Sequence, residues 1–223
     1  MNTIRRKITK ICAVVPFYNE KDSINKLIER TVPFIDKLIL VNDGSTDGTE
    51  SIINFSDKII LINFKNNLGK GAALTAGFNE SIKYGYDVTI TLDADLQHPP
   101  EEIPNFIKEM EKYDILIGNR LNNIKNMPLQ RVFSNKLTSF FMSLKTKIKL
   151  PDTQCGFRAY RNDALKNILP KSKGYEAESE IIINAARQNY RIGFIKIPTI
   201  YANEKSKMKP VETIIGFIKI LFI

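Results

Sequence analysis

The sequence predicts an α/β protein with a mostly parallel sheet covered by helices on both faces, and three observations carry that prediction. Short apolar runs of strand length alternate with longer stretches of helical periodicity. Polar residues suited to chemistry fall directly after the apolar runs, where ligands of open α/β sheets gather. The length of 223 residues with 43% hydrophobic content suits one such domain better than two.

Taken in order, strands are expected near residues 11–15, 37–41, 59–63, 88–92 and 114–117. Helices are expected near 22–34, 47–55, 70–84 and 100–112. This βαβα alternation buries each strand from both sides, which is why the runs read as continuously apolar. Beyond Pro151 the pattern loosens, and a helix near 176–188 and a strand near 192–197 follow. No Pro/Gly/Ser linker, internal repeat or low-complexity tract divides the chain, so residues 1–210 are expected to form one domain. The remaining 211–223 are apolar except for Glu212, Thr213, Gly216 and Lys219. That is too short for a bilayer span, which needs about 20 residues. The segment is expected to lie at an interface, to pack on the core or to begin a longer span.

A formal charge of +9 asks for an anionic partner. No Asp or Glu occurs between Asp114 and Asp152, whereas Arg120, Lys125, Arg131, Lys136, Lys145, Lys147 and Lys149 all lie there. The same interval carries Phe133, Leu137, Phe140, Phe141, Leu144 and Ile148 at helical spacing, with Arg131, Asn135, Lys145 and Lys149 on another face. A basic amphipathic helix suits lipid headgroups, or a phosphate carried on a lipid. Nucleic acid is not expected, because no binding motif or aromatic-basic interleaving accompanies the charge. Cys12 and Cys155 show neither metal spacing nor a disulfide framework, as expected in a reducing compartment. The basic N-terminus, with Arg5, Arg6 and Lys7, is followed by an apolar run that meets Pro16 too soon for a signal peptide, so a cytoplasmic protein is expected.

The most informative stretch is Thr91-Leu92-Asp93-Ala94-Asp95-Leu96-Gln97. Two carboxylates one residue apart at a strand end, with an amide oxygen just beyond, form a donor set for Mg²⁺ or Mn²⁺, cations that share their shell with phosphates. Pro16, Phe17, Tyr18, Asn19 and Glu20 follow the first strand, and Asn42 to Gly48 follow the second, on the same sheet edge. Asp43, Ser45, Asp47 and Gly48 match the first half of a calcium loop, but Asn54 stands where its bidentate Glu belongs. Asp43 instead suits a base or ribose, and Asp47-Gly48 suits a helix cap. Gly69-Lys70-Gly71 is neither a Walker A loop, for which Phe64 and Gly71 are wrong, nor a Rossmann fingerprint, for which Leu74 is wrong. Its backbone N–H groups and Lys70 still suit an anion at a helix N-terminus. His98, the only histidine, follows Gln97, and no serine or cysteine sits in a nucleophile motif.

Together these segments resemble family 2 glycosyltransferases of the GT-A fold, and in particular the polyprenyl-phosphate sugar synthases of the dolichyl-phosphate mannose synthase type. The residues that carry the likeness are VVPFYNE at 14–20, VNDGSTDGT at 41–49, NLGKGAAL at 67–74, LDADLQHPPEEIP at 92–104, GNR at 118–120 and DTQCGFRAYR at 152–161. The resemblance implies an inverting, metal-dependent transfer of a sugar from a nucleotide-sugar of the GDP-mannose or UDP-glucose type to a polyprenyl phosphate, at the cytoplasmic face of a membrane. It implies that Pro16, Tyr18, Glu20 and Asp43 hold the nucleotide, and that Asp93, Asp95 and Gln97 hold Mg²⁺ or Mn²⁺ and the diphosphate. Arg120, Arg131 and Asn135 would meet the acceptor phosphate. The family's late motif, an Arg followed by Gly-x-Ser-Lys, lacks its Arg and Gly in the stretch 201–207, leaving Lys205 and Lys207 as candidates for the donor phosphates. A sugar hydroxyl as acceptor would need a base, for which Asp152 is the first candidate. A glycan-directed transferase of the same family and a non-catalytic sugar-nucleotide-binding module at a membrane surface remain the alternatives. A membrane-embedded partner or a second copy of the chain is left open.

Overall fold

The computed structural model describes residues 7–121, 127, 129–198, 200, 215 and 217–220. Its strands are β1 (Ile11–Phe17), β2 (Lys37–Asn42), β3 (Ile59–Asn63), β4 (Val88–Thr91), β5 (Ile115–Asn119), β6 (Arg158–Arg161) and β7 (Ile192–Lys196). They form one seven-stranded sheet in the order β3-β2-β1-β4-β6-β5-β7. The helices are α1 (Ile24–Thr31), α2 (Lys70–Lys83), α3 (Ile103–Glu109), α4 (Leu129–Thr146), α5 (Asn162–Leu165) and α6 (Ala177–Arg187).

The centre of the sheet follows from its apolar sequence. Cys12 to Val15 of β1 and Leu38 to Val41 of β2 are wholly buried, as expected of parallel strands covered on both sides. Buried polar groups in this core are paired. The Cys12 thiol donates to Ser81 Oγ (3.0 Å), Asn162 Nδ2 donates to the same oxygen (2.8 Å), and Thr89 Oγ1 donates to Asn162 Oδ1 (2.6 Å). Cys12 is thus a packed residue whose thiol burial pushes up to about 11.

β1 pairs with β2 along Cys12–Phe17 but with β4 only along Ile11–Val14. The two neighbours part at Pro16, which has no N–H to offer a second ladder. Chain order also reverses here, since β2 and β3 lie to one side of β1 and β4 to the other. The crevice beyond the carboxyl ends of β1 and β4 is therefore a topological switch point, where open α/β sheets bind ligands.

Two departures from the sequence reading have physical causes. The helix expected near 47–55 is only a 3-10 turn, Thr49–Ile52. Gly48 before it is left-handed (φ +79°) and Ile53 after it is extended, so no α-helical turn propagates. β6, which was not anticipated, runs antiparallel between β4 and β5. Its sequence, Arg-Ala-Tyr-Arg, has no strand-like hydrophobicity, yet Arg158 and Tyr160 are fully buried. Arg158 meets its hydrogen-bonding needs by donating to the carbonyls of Cys155 (2.7 Å), Glu178 (2.8 Å) and Thr153 (2.9 Å).

The helix anticipated in the acid-free interval is α4, and its inner face is partly polar: Val132, Asn135, Ser139 and Met142 are buried, whereas Phe133, Leu137, Phe140, Phe141 and Leu144 are exposed. In the C-terminal segment, Ile220 is buried and Phe217 packs on the core, while Ile215 and Ile218 are exposed. No described helix is long and apolar enough to cross a membrane.

Candidate active site

The carboxylate loop begins where β4 ends. Thr91 Oγ1 donates to the Gly156 carbonyl (2.8 Å), tying this loop to the segment before β6. Asp93 follows, and its Oδ1 lies 2.6 Å from the Lys70 ammonium at the start of α2. A Cβ on residue 156 would stand 2.1 Å from Asp93 Oδ2, so Gly156 is the residue that makes room for this carboxylate. Asp95 Oδ1 accepts from the Gln97 N–H (3.1 Å), and Leu96 between them adopts φ +60°. A left-handed conformation costs a leucine about 1–2 kcal/mol, and such strain collects at functional loops.

Lys70 also pairs with Glu178 of α6 at 3.1 Å, and lies over the Tyr175 ring at 5.9 Å. Burial by itself would depress an ammonium, but Asp93 and Glu178 outweigh it and hold Lys70 well above the ordinary lysine range. The converse holds for Asp93: burial opposes its charge, yet the Lys70 cation keeps it below the usual carboxylate range. The loop leading into α2 is set by Asp43, which accepts from the N–H groups of Leu68 (2.7 Å) and Gly69. Gly69 has φ +100°, which only glycine adopts without strain. Burial raises the Asp43 carboxyl despite those donors.

The turn after β1 is pinned to the loop after β2. The Asn19 N–H donates to Ser45 Oγ (2.9 Å), Thr46 N–H donates to Asn19 Oδ1 (2.7 Å), and Glu20 N–H donates to Thr49 Oγ1 (3.0 Å). This places Pro16, Tyr18 and Glu20 on the edge that also bears Asp43. Instead of capping a helix, Asp47 accepts from the Thr49 N–H (2.9 Å) and stiffens the same loop.

A second ion pair lies toward β5. Arg120 donates from Nε to Asp152 Oδ2 (2.9 Å) and from Nη2 to Oδ1 (3.0 Å), a bidentate geometry, and its backbone N–H adds a third bond (3.1 Å). Although burial opposes the charge of Asp152, Arg120 holds this carboxyl below its ordinary range. Beneath both pairs, His98 Nε2 lies 3.7 Å from Cys155 Sγ, and His98 Nδ1 has no hydrogen-bond partner among the described residues. Burial, aided by the Arg120 charge, lowers His98 to about 4 and so keeps it neutral; burial likewise pushes the Cys155 thiol up to about 12.

Of the α4 residues considered for the acceptor, Asn135 is buried on the inner face and Arg131 is half-buried. Lys205 and Lys207 lie outside the described residues. Among the described residues no group of three or more His, Cys, Asp and Glu is disposed to hold a metal by itself. The donor set present, Asp93, Asp95 and the Gln97 amide, fits a hard divalent cation that completes its shell with phosphate oxygens. A cation already faces Asp93 in the form of the Lys70 ammonium.

The sequence profile of glycosyl transferase family 2 matches residues 12–169. The chain belongs to that family. A family relative, the UDP-N-acetylglucosamine–dolichyl-phosphate N-acetylglucosaminyltransferase of Methanococcus voltae, is 32% identical over 93% of this chain and 92% of its own length. An undecaprenyl-phosphate mannosyltransferase of Micrococcus luteus is 29% identical over 93% of this chain and 90% of its own. Among solved structures, glucosyl-3-phosphoglycerate synthase from Mycobacterium tuberculosis, in complex with Mn²⁺, UDP and phosphoglyceric acid, superimposes with a TM-score of 0.73. That match is 19% identical and covers 95% of this chain and 76% of the other, and it shows the common GT-A fold.

Within this family 2 fold, sequence reasoning did not single out Glu178, Tyr175, Gly156 or Arg158. Glu178 and Tyr175 reach Lys70 from a distant part of the chain, so no local motif announces them. Gly156 stood inside a quoted motif, but the need for glycine appears only when Asp93 is seen against it.

Proposed function

We propose that this family 2 glycosyltransferase moves a sugar from a nucleoside diphosphate sugar to a polyprenyl phosphate at the cytoplasmic face of a membrane, with inversion at the anomeric carbon. One observation carries the reading: the candidate carboxylate bases of the site are engaged, and burial leaves its histidine too weakly basic to take a hydroxyl proton. Asp93 and Glu178 share Lys70, Asp152 is clamped by Arg120, and His98 is buried and neutral. A sugar hydroxyl needs its proton removed, whereas a phosphate monoester has a second pKa of about 6 and is already anionic at neutral pH. The names of relatives that act on dolichyl and undecaprenyl phosphates agree with that chemistry.

In this mechanism an acceptor phosphate oxygen attacks the anomeric carbon as the bond to the donor diphosphate breaks, and the departing diphosphate carries the negative charge. Asp93, Asp95 and Gln97 would hold a divalent cation, Mg²⁺ or Mn²⁺, which neutralises charge on the leaving group when bound. Lys70 keeps Asp93 ionised and adds positive charge beside it. Pro16, Tyr18, Glu20 and Asp43 line the nucleotide side, and Lys205 and Lys207 remain candidates for the donor phosphates. Arg120, oriented by Asp152, faces the acceptor phosphate together with Arg131 and Asn135. GDP-mannose, UDP-glucose and UDP-N-acetyl sugars all fit as donors.

The test is transfer of radiolabelled sugar from a panel of GDP- and UDP-sugars into organic-extractable polyprenyl phosphate, with Mg²⁺ or Mn²⁺, and with Asp95→Ala as control. Label in the lipid phase with wild type and metal, absent in the variant, is the expected result. Donor binding without lipid labelling, for every donor, would overturn the acceptor assignment.

A further inference from the structure

Helix α4 carries a large apolar face outward beside an inner face that is partly polar. Its buried face includes Asn135 and Ser139, and its outward face is Phe133, Leu137, Phe140, Phe141 and Leu144. Phe133 is 69% exposed, Phe140 57% and Leu144 60%. At 3.6 residues per turn these five side chains form one continuous stripe, and the Phe140 and Phe141 rings meet edge to face at 5.6 Å. Isolated exposed apolar residues are normal on any protein; a contiguous patch marks an interaction surface.

The charges around the stripe identify the occupant. On the helical wheel Lys136 flanks one side and Lys145 the other, and the exposed Lys147 and Lys149 follow at the helix end. The interval from Asp114 to Asp152 holds no Asp or Glu between its ends, so the helix itself adds no negative charge beside the stripe. Two copies of this face brought together would set lysines against lysines. An anionic bilayer instead takes the aromatic and leucine side chains among its acyl chains and the flanking ammonium groups among its headgroup phosphates.

We infer that the outward face of α4 is a docking surface that inserts into the interfacial layer of an anionic lipid membrane. The inner face of the same helix braces the acceptor side of the site. Ser139 Oγ accepts from the Thr153 N–H (3.1 Å), Ser143 Oγ accepts from Leu150 N–H (3.0 Å), and Gln154 Nε2 donates to Thr138 Oγ1 (3.0 Å). These bonds fix the segment that presents Asp152, and through it Arg120. Docking therefore seats on the membrane the helix that braces the Arg120–Asp152 pair; that this serves a lipid-phosphate acceptor rests on the proposed function, whereas the docking itself does not.

The experiment is co-sedimentation of the full chain with vesicles free of any acceptor, made either of phosphatidylcholine alone or of phosphatidylcholine with phosphatidylglycerol. The comparison variant is Phe133→Ser/Phe140→Ser/Leu144→Ser. Wild type is expected to bind the anionic vesicles at least about tenfold more tightly than the neutral ones, and the variant to lose about tenfold or more of that affinity. The variant should keep the wild-type melting temperature and its transfer to a short-chain, water-soluble polyprenyl phosphate. Equal vesicle binding by variant and wild type, or no binding by wild type, overturns the inference. So does a wild-type dimer in analytical ultracentrifugation that the variant abolishes, because the face then meets a second copy. Wild type that docks through α4 yet labels no lipid acceptor refutes the proposed function and leaves the docking surface standing.

Discussion

Replacing Lys70 by methionine removes one cation from between two carboxylates while keeping a stem of similar length. Lys70 and Glu178 have side chains only 16% and 9% exposed, and Asp93 is 28% exposed. Deleting one partner of a buried ion pair costs about 3–5 kcal/mol, because the partner stays buried and uncompensated. Two facts lower that figure: Asp93 reaches solvent, and Glu178 retains Arg158 at 3.7 Å. A loss of about 2–4 kcal/mol is expected. For a domain of this size that lowers the melting temperature by about 5–15 °C. The pH dependence gives a sharper signature. In wild type the folded Asp93 carboxyl lies below its unfolded value, so its contribution is present above about pH 4 and fades as pH falls through the folded value. In Lys70→Met the same carboxyl is desolvated without its cation, so the penalty operates above about pH 4 and is relieved as the group protonates. The difference between the two proteins should therefore be largest near neutrality and shrink toward pH 4. Added Mn²⁺ should narrow it at neutral pH, since a divalent ion beside Asp93 takes over the lost charge. Thermal melts by circular dichroism at several pH values read all three effects. A deficit under about 1 kcal/mol, or one that does not change with pH, would refute the reasoning that Lys70 is the counter-ion of this loop.

Gly156→Ala should leave the fold intact and reduce transfer by about tenfold or more, because the added methyl must displace Asp93; wild-type activity in this variant would remove Gly156 from the site. Arg120→Ala is expected to weaken acceptor use far more than donor binding, measured as separate KM and Kd changes, with equal losses counting against the acceptor role. Asp152→Ala should shift the urea midpoint by an amount equivalent to about 2–4 kcal/mol, because it strands Arg120 without its bidentate partner. His98, neutral in the fold and lowered to about 4, contributes stability that is complete above about pH 6.5 and lost as pH falls toward 4. The loss approaches about 3 kcal/mol at the acid end, and His98→Gln should flatten the urea midpoint across that range.

Much of this was legible in the chain because parallel strands buried on both sides must be apolar. Residues 11–15 and 37–41 announce themselves for that reason, the half-buried edge strand 59–63 shares the apolar pattern, and the loops after them inherit a common edge. Asp93, Asp95 and Asp43 could be read at that edge from position alone. β6 could not, because its burial is satisfied by an arginine bonded to three carbonyls rather than by hydrophobicity. Nor could the pairing of Lys70 with Glu178, whose separation of 108 positions is closed only by tertiary packing. The stripe on α4 was visible as a pattern, but the pattern does not say which way it faces. Buried Asn135 and Ser139 on the opposite side decide that question.

The antiparallel pairing of β5 with β6 has a consequence for how this molecule could diversify. The chain leaves the sheet after Asn119 and returns at Arg158 in the strand next door, with Ile117 registered against Arg158. Everything in between is one excursion with adjacent anchor points, and it contains Arg120, Arg131, Asn135 and Asp152 together with the whole of α4. The proposed nucleotide-side residues from Pro16 to Gln97 lie outside it. Such an arrangement behaves like a cassette: its length and chemistry can change without disturbing the register of the strands that hold the other substrate. Exchanging residues 120–152 between relatives, which leaves Gly156 against Asp93, is the natural route to a chimera that keeps its donor and adopts a new acceptor.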